Sequence, residues 1–312
     1  MADHSSKLTV YGAVVANTLI AISKFTAAAF TGSSAMLSEG IHSVVDSGNS
    51  LLLLFGIHRS ERPPDEHHPF GHGKELYFWS LIVAMIIFGV GGGMSIYEGV
   101  IHIVHRSEPG DPTWNYVVLG LAMLFEGASW TIAFREFGRG RRRALGFLQA
   151  VRRSKDPTIY TVLFEDSAAL LGLVLAFLGV FLGRQLDMPA LDGAASIAIG
   201  AMLCGVAVFL AYESRGLLVG ESADPEQIEH IVQVATADPA VERVERPLTM
   251  HLGPHDVLLN LGITFRQGLT LAQVEAAVTR LENAIRAEHP DIRQIFIEAS
   301  SIRSAKNGDG LP

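Results

Sequence analysis

The chain of 312 residues contains a single cysteine, Cys204, so it has neither an internal disulfide framework nor a multi-cysteine zinc ribbon. It is also poor in charge, because 18% of its residues are charged, against about 25% in a soluble domain. Basic residues are outnumbered, and the formal net charge of -8 argues against nucleic-acid binding, which needs a basic face. Hydrophobic residues make up 49% of the chain and the mean hydropathy is +0.30. These proportions argue against a single soluble globule.

Six long apolar runs predict transmembrane helices, because about 20 apolar residues cross a ~30 Å hydrocarbon core. The first run is too long for the hydrophobic region of a signal peptide, so we expect a retained span. Basic residues concentrate in the loops after the second and fourth runs, which places these loops and both termini in the cytoplasm. Three consecutive glycines in the third run indicate close helix packing or a hinge. The runs cover residues 8–30, 34–57, 76–104, 116–134, 159–182 and 190–212.

The composition changes after about residue 218, and the segment that follows has the pattern of a small α+β domain. A helix opens at Asp224 or Pro225, strands are expected over 241–252 and 257–265, a second helix starts at Thr270, and a last strand follows near Ile295. The predicted order is α-β-β-α-β. We therefore expect a six-span α-helical membrane domain, a small α+β domain and a disordered tail, over residues 1–218, 219–300 and 301–312.

The second run carries Glu39, His42 and Asp46 at i, i+3 and i+7, which places them on one helical face. The fifth run adds two adjacent acids, Glu165 and Asp166. Ionisable groups inside a membrane are costly and usually mark a transport path. Adjacent carboxylates cannot all stay ionised at low dielectric unless a metal ion or protons join them. The alternative is that these acids are protonated and hydrogen-bond neighbouring helices.

The loop after the second run has the sequence RPPDEHHPFGHGKEL, in which five residues of metal-ligand type fall within eight positions. Its prolines stiffen the loop and its glycines allow close backbone approach, so a preformed shallow metal site is plausible. The alternative is an ordinary solvated turn. The five residues are Asp65, Glu66, His67, His68 and His72.

These segments resemble the cation diffusion facilitator family, which includes zinc transporters. The resemblance extends over nearly the whole chain, through GSSAMLSEGIHSVVDSGNSLLLL, the His-rich loop and LDGAASIAIGAMLCGVAVFLAYESRGLLVGESAD. It implies a homodimer of six-helix protomers with a metallochaperone-like cytoplasmic domain. The segment TVLFEDSAALLG looks like the branch related to mitochondrial zinc transporters, which favours zinc.

The resemblance also implies site residues. His42 and Asp46 match one half of the family transport site, and Asp166 matches the other, where Val162 stands in place of the usual fourth ligand and Glu165 is a substitute. The loop site carries over as Asp65, His68 and His72, with Glu66 or His67 as substitutes. Lys74 matches a lysine that pairs with an acid, here Glu221. A degraded cytoplasmic cluster would retain His251, His255, Glu275 and Glu298.

The expected function is proton-coupled export of a divalent cation from the cytoplasm, with zinc favoured and manganese, iron(II) or cobalt open. The alternative is a membrane-embedded sensor that binds divalent cations without moving them. We expect a multi-pass protein of a bacterial cytoplasmic membrane. Its partners would be lipid, a second copy of the chain, protons and the transported metal, without an enzymatic cofactor or a nucleic acid.

Overall fold

The computed structural model describes residues 18–105, 113–140 and 155–299. They form two compact units: one holds the described residues up to His58 together with Phe78–Arg215, and the other holds Arg59–Tyr77 and the chain from Gly216 onward. The predicted tail, the first ten residues of the predicted first span, and the basic segment 141–154 lie outside the described residues.

The first unit is entirely helical where it is described. Within that part of the chain, four helices are long and apolar enough to cross a membrane, which supports an integral membrane protein; they cover Ser34–Ser60, Glu75–Val104, Tyr160–Gln185 and Ala190–Val219. The helices are α1 (Thr18–Thr31), α2 (Ser34–Ser60), α3 (Glu75–Val104), α4 (Thr113–Gly140), α5 (Pro157–Gln185) and α6 (Ala190–Val219).

The helices of this unit are apolar on their outer faces as well as in their packed interior. Phe30 is 77% exposed and Leu124 is 72% exposed, while Met36, Leu119 and Leu173 are buried in the core. A soluble protein rarely exposes so much contiguous apolar surface, whereas lipid requires it.

Glycines bring α3 and α6 into direct contact. A Cβ atom at Gly99 would lie 2.5 Å from the carbonyl oxygen of Gly193, and one at Gly92 would lie 3.0 Å from that of Gly200. The two pairs are seven residues apart on both helices, so a small-residue stripe runs along the interface. The glycines of the third run also lie in a π-helical segment, Ile87–Gly93. The prediction of close helix packing is confirmed.

The second unit contains a four-stranded sheet with two helices. Its elements are α7 (Pro225–Thr236), β1 (Val241–Val244), β2 (Leu248–Gly253), β3 (Asp256–Phe265), α8 (Leu271–Glu288) and β4 (Ile292–Ala299). Strand β3 pairs antiparallel with β1 and β2 and parallel with β4. The Asp224 carboxylate caps α7 by accepting from the Glu226 N–H at 2.9 Å, and Pro225 follows it as the first helical residue. The predicted start of this helix is therefore confirmed.

The predicted order α-β-β-α-β is corrected to α-β-β-β-α-β, because the first strand is divided. Val244 pairs with Ile263 and Leu248 with Asn260, so β1 and β2 follow one another along the same edge of β3. The chain between them contains Pro247, which lacks the N–H that a continuous ladder needs and is tolerated on an edge. Strand β3 itself alternates strictly between buried and half-buried residues, with Val257, Leu259, Leu261, Ile263 and Phe265 in the core.

Candidate metal centres

Helix α2 carries the polar stripe that the sequence predicts. His42 is buried, and its Nδ1 atom lies 3.3 Å from Oδ1 of Asp46, one turn further along the helix. The N-terminus of α2 is held by the Asp192 carboxylate of α6, which accepts from the N–H of Ser34 at 2.6 Å and from the hydroxyl of Ser33 at 2.7 Å. A carboxylate at this end also favours the helix dipole. The polar stripe of α2 therefore lies on a helix whose N-terminus is fixed to α6.

Asn49 joins this stripe to α5. Its side-chain amide donates a 2.7 Å hydrogen bond to Oε1 of Glu165, and both side chains are buried. The carboxylate of Glu165 therefore lies beside the polar stripe of α2. Sequence reasoning missed Asn49, although its spacing of seven residues from His42 and three from Asp46 was a usable signal.

Several buried polar atoms of α2 have no hydrogen-bond partner among the described residues. These are Oε1 of Glu39, both ring nitrogens of His42, Oδ1 of Asp46, Oδ1 of Asn49 and Nε of Arg59. Buried polar atoms are almost always paired, so an unpaired imidazole beside an unpaired carboxylate oxygen suits the capture of a cation. Among the residues that the structure describes, however, this region does not bring three His, Asp or Glu ligand atoms within 4.8 Å of one another.

Glu39, which shares the face of His42, has a different partner. Lys24 of α1 is fully buried, and its Nζ atom lies 3.0 Å from Oε2 of Glu39 and 2.8 Å from the hydroxyl of Ser43. The other oxygen of Glu39 packs against Gly172 of α5, where a Cβ atom would not fit. The one basic side chain inside the described helical unit thus pairs with the acid nearest the start of α2.

The loop residues Asp65, His68 and His72 come together as predicted. Oδ1 of Asp65 lies 3.2 Å from Nδ1 of His68, and Oδ2 lies 3.0 Å from Nε2 of His72. The two imidazole rings are 4.2 Å apart between centroids. Within residues 18–105, 113–140 and 155–299, this is the one set with three ligand atoms within 4.8 Å of one another.

Main-chain hydrogen bonds organise the loop before any metal binds. Oδ1 of Asp65 accepts from the main-chain N–H groups of His68 at 2.7 Å and His67 at 2.9 Å. These bonds, that from His68 foremost, lower the pKa of Asp65 from 3.8 to about 2, so the carboxylate is charged at neutral pH. Gly71 has a φ of +85°, a conformation that other residues rarely adopt. His67 and Glu66 are exposed.

Residues 10–219, about two-thirds of the chain, match the model of the cation efflux transmembrane domain. The chain belongs to the cation diffusion facilitator family. It is 31% identical to the proton-coupled zinc antiporter SLC30A9, mitochondrial, of Xenopus laevis and 34% identical to that of Homo sapiens. These matches cover 92% and 81% of the chain but 58% and 45% of the relatives, so the chain spans about half their length.

A bacterial relative matches over nearly its whole length. The manganese efflux system protein MneP of Bacillus subtilis is 26% identical over 92% of this chain and 93% of the relative. The predicted family is therefore confirmed for this cation diffusion facilitator, and its relatives include proteins named for two different metals.

The predicted pairing of Lys74 with Glu221 in this cation diffusion facilitator stays a prediction. Nζ of Lys74 donates to the carbonyl oxygen of Leu218 at 3.4 Å and lies 3.8 Å from the sulfur of Met250. The carbonyl oxygen of Glu221 accepts from the main-chain N–H of His251 at 2.9 Å. Lys74 and Glu221 thus both contact β2, at Met250 and His251 respectively.

The four residues predicted in the cytoplasmic domain do not converge within one chain. His251 is buried in β2 and pairs with Val257 in the sheet register, whereas Glu298 is exposed on β4 opposite Gly262. Five residues along β3 separate these positions by about 16 Å. His255 and Glu275 are exposed, on the β2–β3 turn and on α8.

A different group of ligand-type residues lies in the same unit and was missed by sequence reasoning. His230 of α7 and His289, which follows α8, have ring nitrogens 2.9 Å apart. Burial, and then the neighbouring His230, lower the pKa of His289 below its usual value. The two residues are 59 positions apart in the sequence, so no local spacing could have signalled their contact.

Proposed function

We propose that this cation diffusion facilitator exports divalent metal cations in exchange for protons, with zinc as the favoured cargo. The observation that carries the proposal is the buried imidazole of His42 beside the partly buried carboxylate of Asp46, which have atoms without a hydrogen-bond partner among the described residues. Asn49 links the same helix to Glu165 of α5. The relatives named zinc antiporter and manganese efflux protein support a divalent ion as cargo. His and carboxylate ligands suit zinc and also accept manganese, iron(II) or cobalt.

In the proposed cycle, His42, Asp46 and Asp166 bind the ion, and Glu165 supplies the ligand that the family motif lacks at Val162. Binding requires deprotonated ligands, so the incoming cation releases protons from the carboxylates and the imidazole. When the site opens to the other side of the membrane, protons return to these groups and the cation leaves. The loop residues Asp65, His68 and His72 would bind a second ion outside the membrane.

The proposed assembly is a homodimer of six-span protomers with both termini in the cytoplasm of a bacterial cell. Residues 1–218 would transport the ion, and residues 219–300 would dimerise as a metallochaperone-like domain. His251, His255, Glu275 and Glu298 would meet a metal only through the approach of two protomers, because one chain does not bring them together.

Zinc flux into proteoliposomes of the full chain, driven by a pH gradient, tests the proposal. Flux should rise with the gradient and should fall to background in Asp46→Ala and in Asp166→Asn. Ser47→Ala is the matched control, because the Ser47 hydroxyl donates only to the carbonyl of Ser43 in its own helix. Competition by manganese, iron(II) and cobalt ranks the cargoes by flux, which binding strength alone does not.

Three outcomes would change the proposal. Normal flux in Asp166→Asn together with lost flux in Glu165→Gln would move the site to the other face of α5. Zinc flux that does not depend on the pH gradient would contradict the proposed exchange of zinc for protons. Stoichiometric zinc binding without flux would instead favour a membrane-embedded sensor.

A further inference from the structure

Helix α7 and the end of α8 meet at two histidines in the second compact unit, named here the C-terminal unit although it also contains Arg59–Tyr77. Nδ1 of His230 lies 2.9 Å from Nε2 of His289, and the ring centroids are 5.1 Å apart. The opposite ring nitrogen of His230, Nε2, lies 3.2 Å from Oε2 of Glu288. The side chain of His230 is 45% exposed, so an ion in solution can reach the pair.

The carboxylate of Glu288 lies at ion-pair distance from Nε2 of His230, so it favours a proton on that nitrogen. With the proton on Nε2, Nδ1 keeps a lone pair on the side that faces His289. Metal-binding histidines commonly have a carboxylate beside the second ring nitrogen, which orients the ring. The contact between the two rings is held by a single proton, which a cation can replace.

The surroundings of the pair favour a cation. His289 is the residue that ends α8, and helix C-termini carry partial negative charge. The charges of Asp291 and Glu288 also act on the His289 imidazole. Asp291 is held in place by the side-chain amide of Gln227, which lies 2.9 Å and 3.1 Å from its two carboxylate oxygens.

We propose that His230 and His289 bind one divalent transition-metal ion of the zinc class, with Glu288 orienting His230 and water completing the coordination. Two nitrogens on a tetrahedral zinc, each at about 2.0 Å, are about 3.3 Å apart, so the pair needs to open by only about 0.4 Å. The bound ion would join α7 to the C-terminal end of α8. This site is separate from the proposed transport site and does not depend on it.

Hydrogen exchange followed by mass spectrometry tests the site in the full-length protein in lipid nanodiscs, with chelator or with zinc alone. The background carries Asp46→Ala and His72→Ala, which remove the proposed transport and loop sites. Zinc should slow exchange in peptides covering 225–236 and 281–292. Equilibrium dialysis should find one ion fewer per protomer after His230→Gln and His289→Gln are added.

The controls separate this site from its neighbours. His58→Gln removes an exposed histidine that belongs to none of the proposed metal sites, and it should change neither zinc count nor protection. Glu288→Gln should weaken zinc binding by about 10- to 100-fold, as expected for the loss of an orienting carboxylate. Matching exchange in chelator would show that each variant folds. Unchanged zinc count in the double histidine variant, or protection that persists in it, would overturn the proposal, whatever the transport assay shows.

Discussion

At the scale of single residues, Asn49 connects the two helices that carry the candidate transport site. Its amide nitrogen donates to Glu165, while its own Oδ1 atom has no partner among the described residues. The amide of Asn49 orients one acid of α5, and its free oxygen is available to a cation in the proposed transport site. We therefore expect Asn49 to act together with His42 and Asp46.

Replacing Asn49 by Ala should lower zinc flux by about tenfold. The substitution leaves the buried Glu165 carboxyl without its donor, and an unsatisfied buried polar group costs about 1–3 kcal/mol. Initial rates in proteoliposomes measure the effect, and Ser47→Ala serves again as the control in the same helix. Wild-type rates in Asn49→Ala would show that the amide has no part in transport.

Residues close in sequence were predictable, and residues joined only by packing were not. Asp65, His68 and His72 lie within one loop, so their approach follows from local backbone turns. His230 and His289 meet because α7 and α8 pack in the same unit, and Asn49 meets Glu165 across 116 positions. Spacing arguments contain no information about such contacts. They did identify His42 and Asp46, because both belong to one helix.

At the scale of elements, the divided edge of the sheet shows how a single proline changes a predicted strand. The pattern over 241–252 predicted one strand, and the pairing with β3 does continue along one edge. The Glu245 N–H still donates to the carbonyl of Gly262 at 2.9 Å, but regular strand structure is lost before Pro247. The hydrophobic pattern thus predicts how far the edge extends, and the missing N–H of proline decides where the strand is interrupted.

The turn after α7 is linked to α8 by a bidentate ion pair. Nε of Arg280 lies 3.0 Å from Oδ2 of Asp238, and Nη2 lies 3.0 Å from Oδ1. The bonds from Arg280 lower the pKa of Asp238 below its usual value. The Arg280 side chain is about half exposed, so solvent screens the pair and weakens its contribution to stability.

The contribution of this pair should disappear in acid. An acid whose pKa is lowered by folding stabilises the folded state above its unfolded pKa, near 3.9, and loses that effect as the pH falls through the folded value. A double-mutant cycle of Asp238→Asn and Arg280→Gln, read by thermal unfolding of the full chain, should show coupling at pH 7 that shrinks at pH 3. Equal coupling at both pH values would contradict the charged interaction.

At the scale of the whole molecule, the C-terminal unit constrains the path of the chain through the membrane. Arg59–Tyr77 and the chain from Gly216 share one compact unit, so we expect them on one side of the bilayer. Four described helices, α3 to α6, separate these two segments. An even number of crossings returns the chain to its starting side, so all four helices are expected to span, including α4.

Single-cysteine labelling tests this path. In a Cys204→Ser background, Glu61→Cys and Ala272→Cys, both exposed in the C-terminal unit, should react with an impermeant maleimide from the same side of oriented vesicles. His105→Cys, at the far end of the 30-residue helix α3, should react only from the other side. Labelling of Glu61→Cys and Ala272→Cys from opposite sides would mean an odd number of crossings.

The division of the C-terminal unit into two stretches of sequence also sets an order for biosynthesis. The main chain at Gly73 packs against the carbonyl of Leu252, and Lys74 contacts Leu218, so the loop is completed by residues made much later. The ribosome adds 138 residues between Tyr77 and Gly216, which takes about 7–28 s at 5–20 residues per second. During that interval the loop histidines have been translated but lack the strand that supports their neighbours. Asp65, His68 and His72 are thus among the earlier residues to be synthesised, yet their scaffold is among the last parts of the molecule to form.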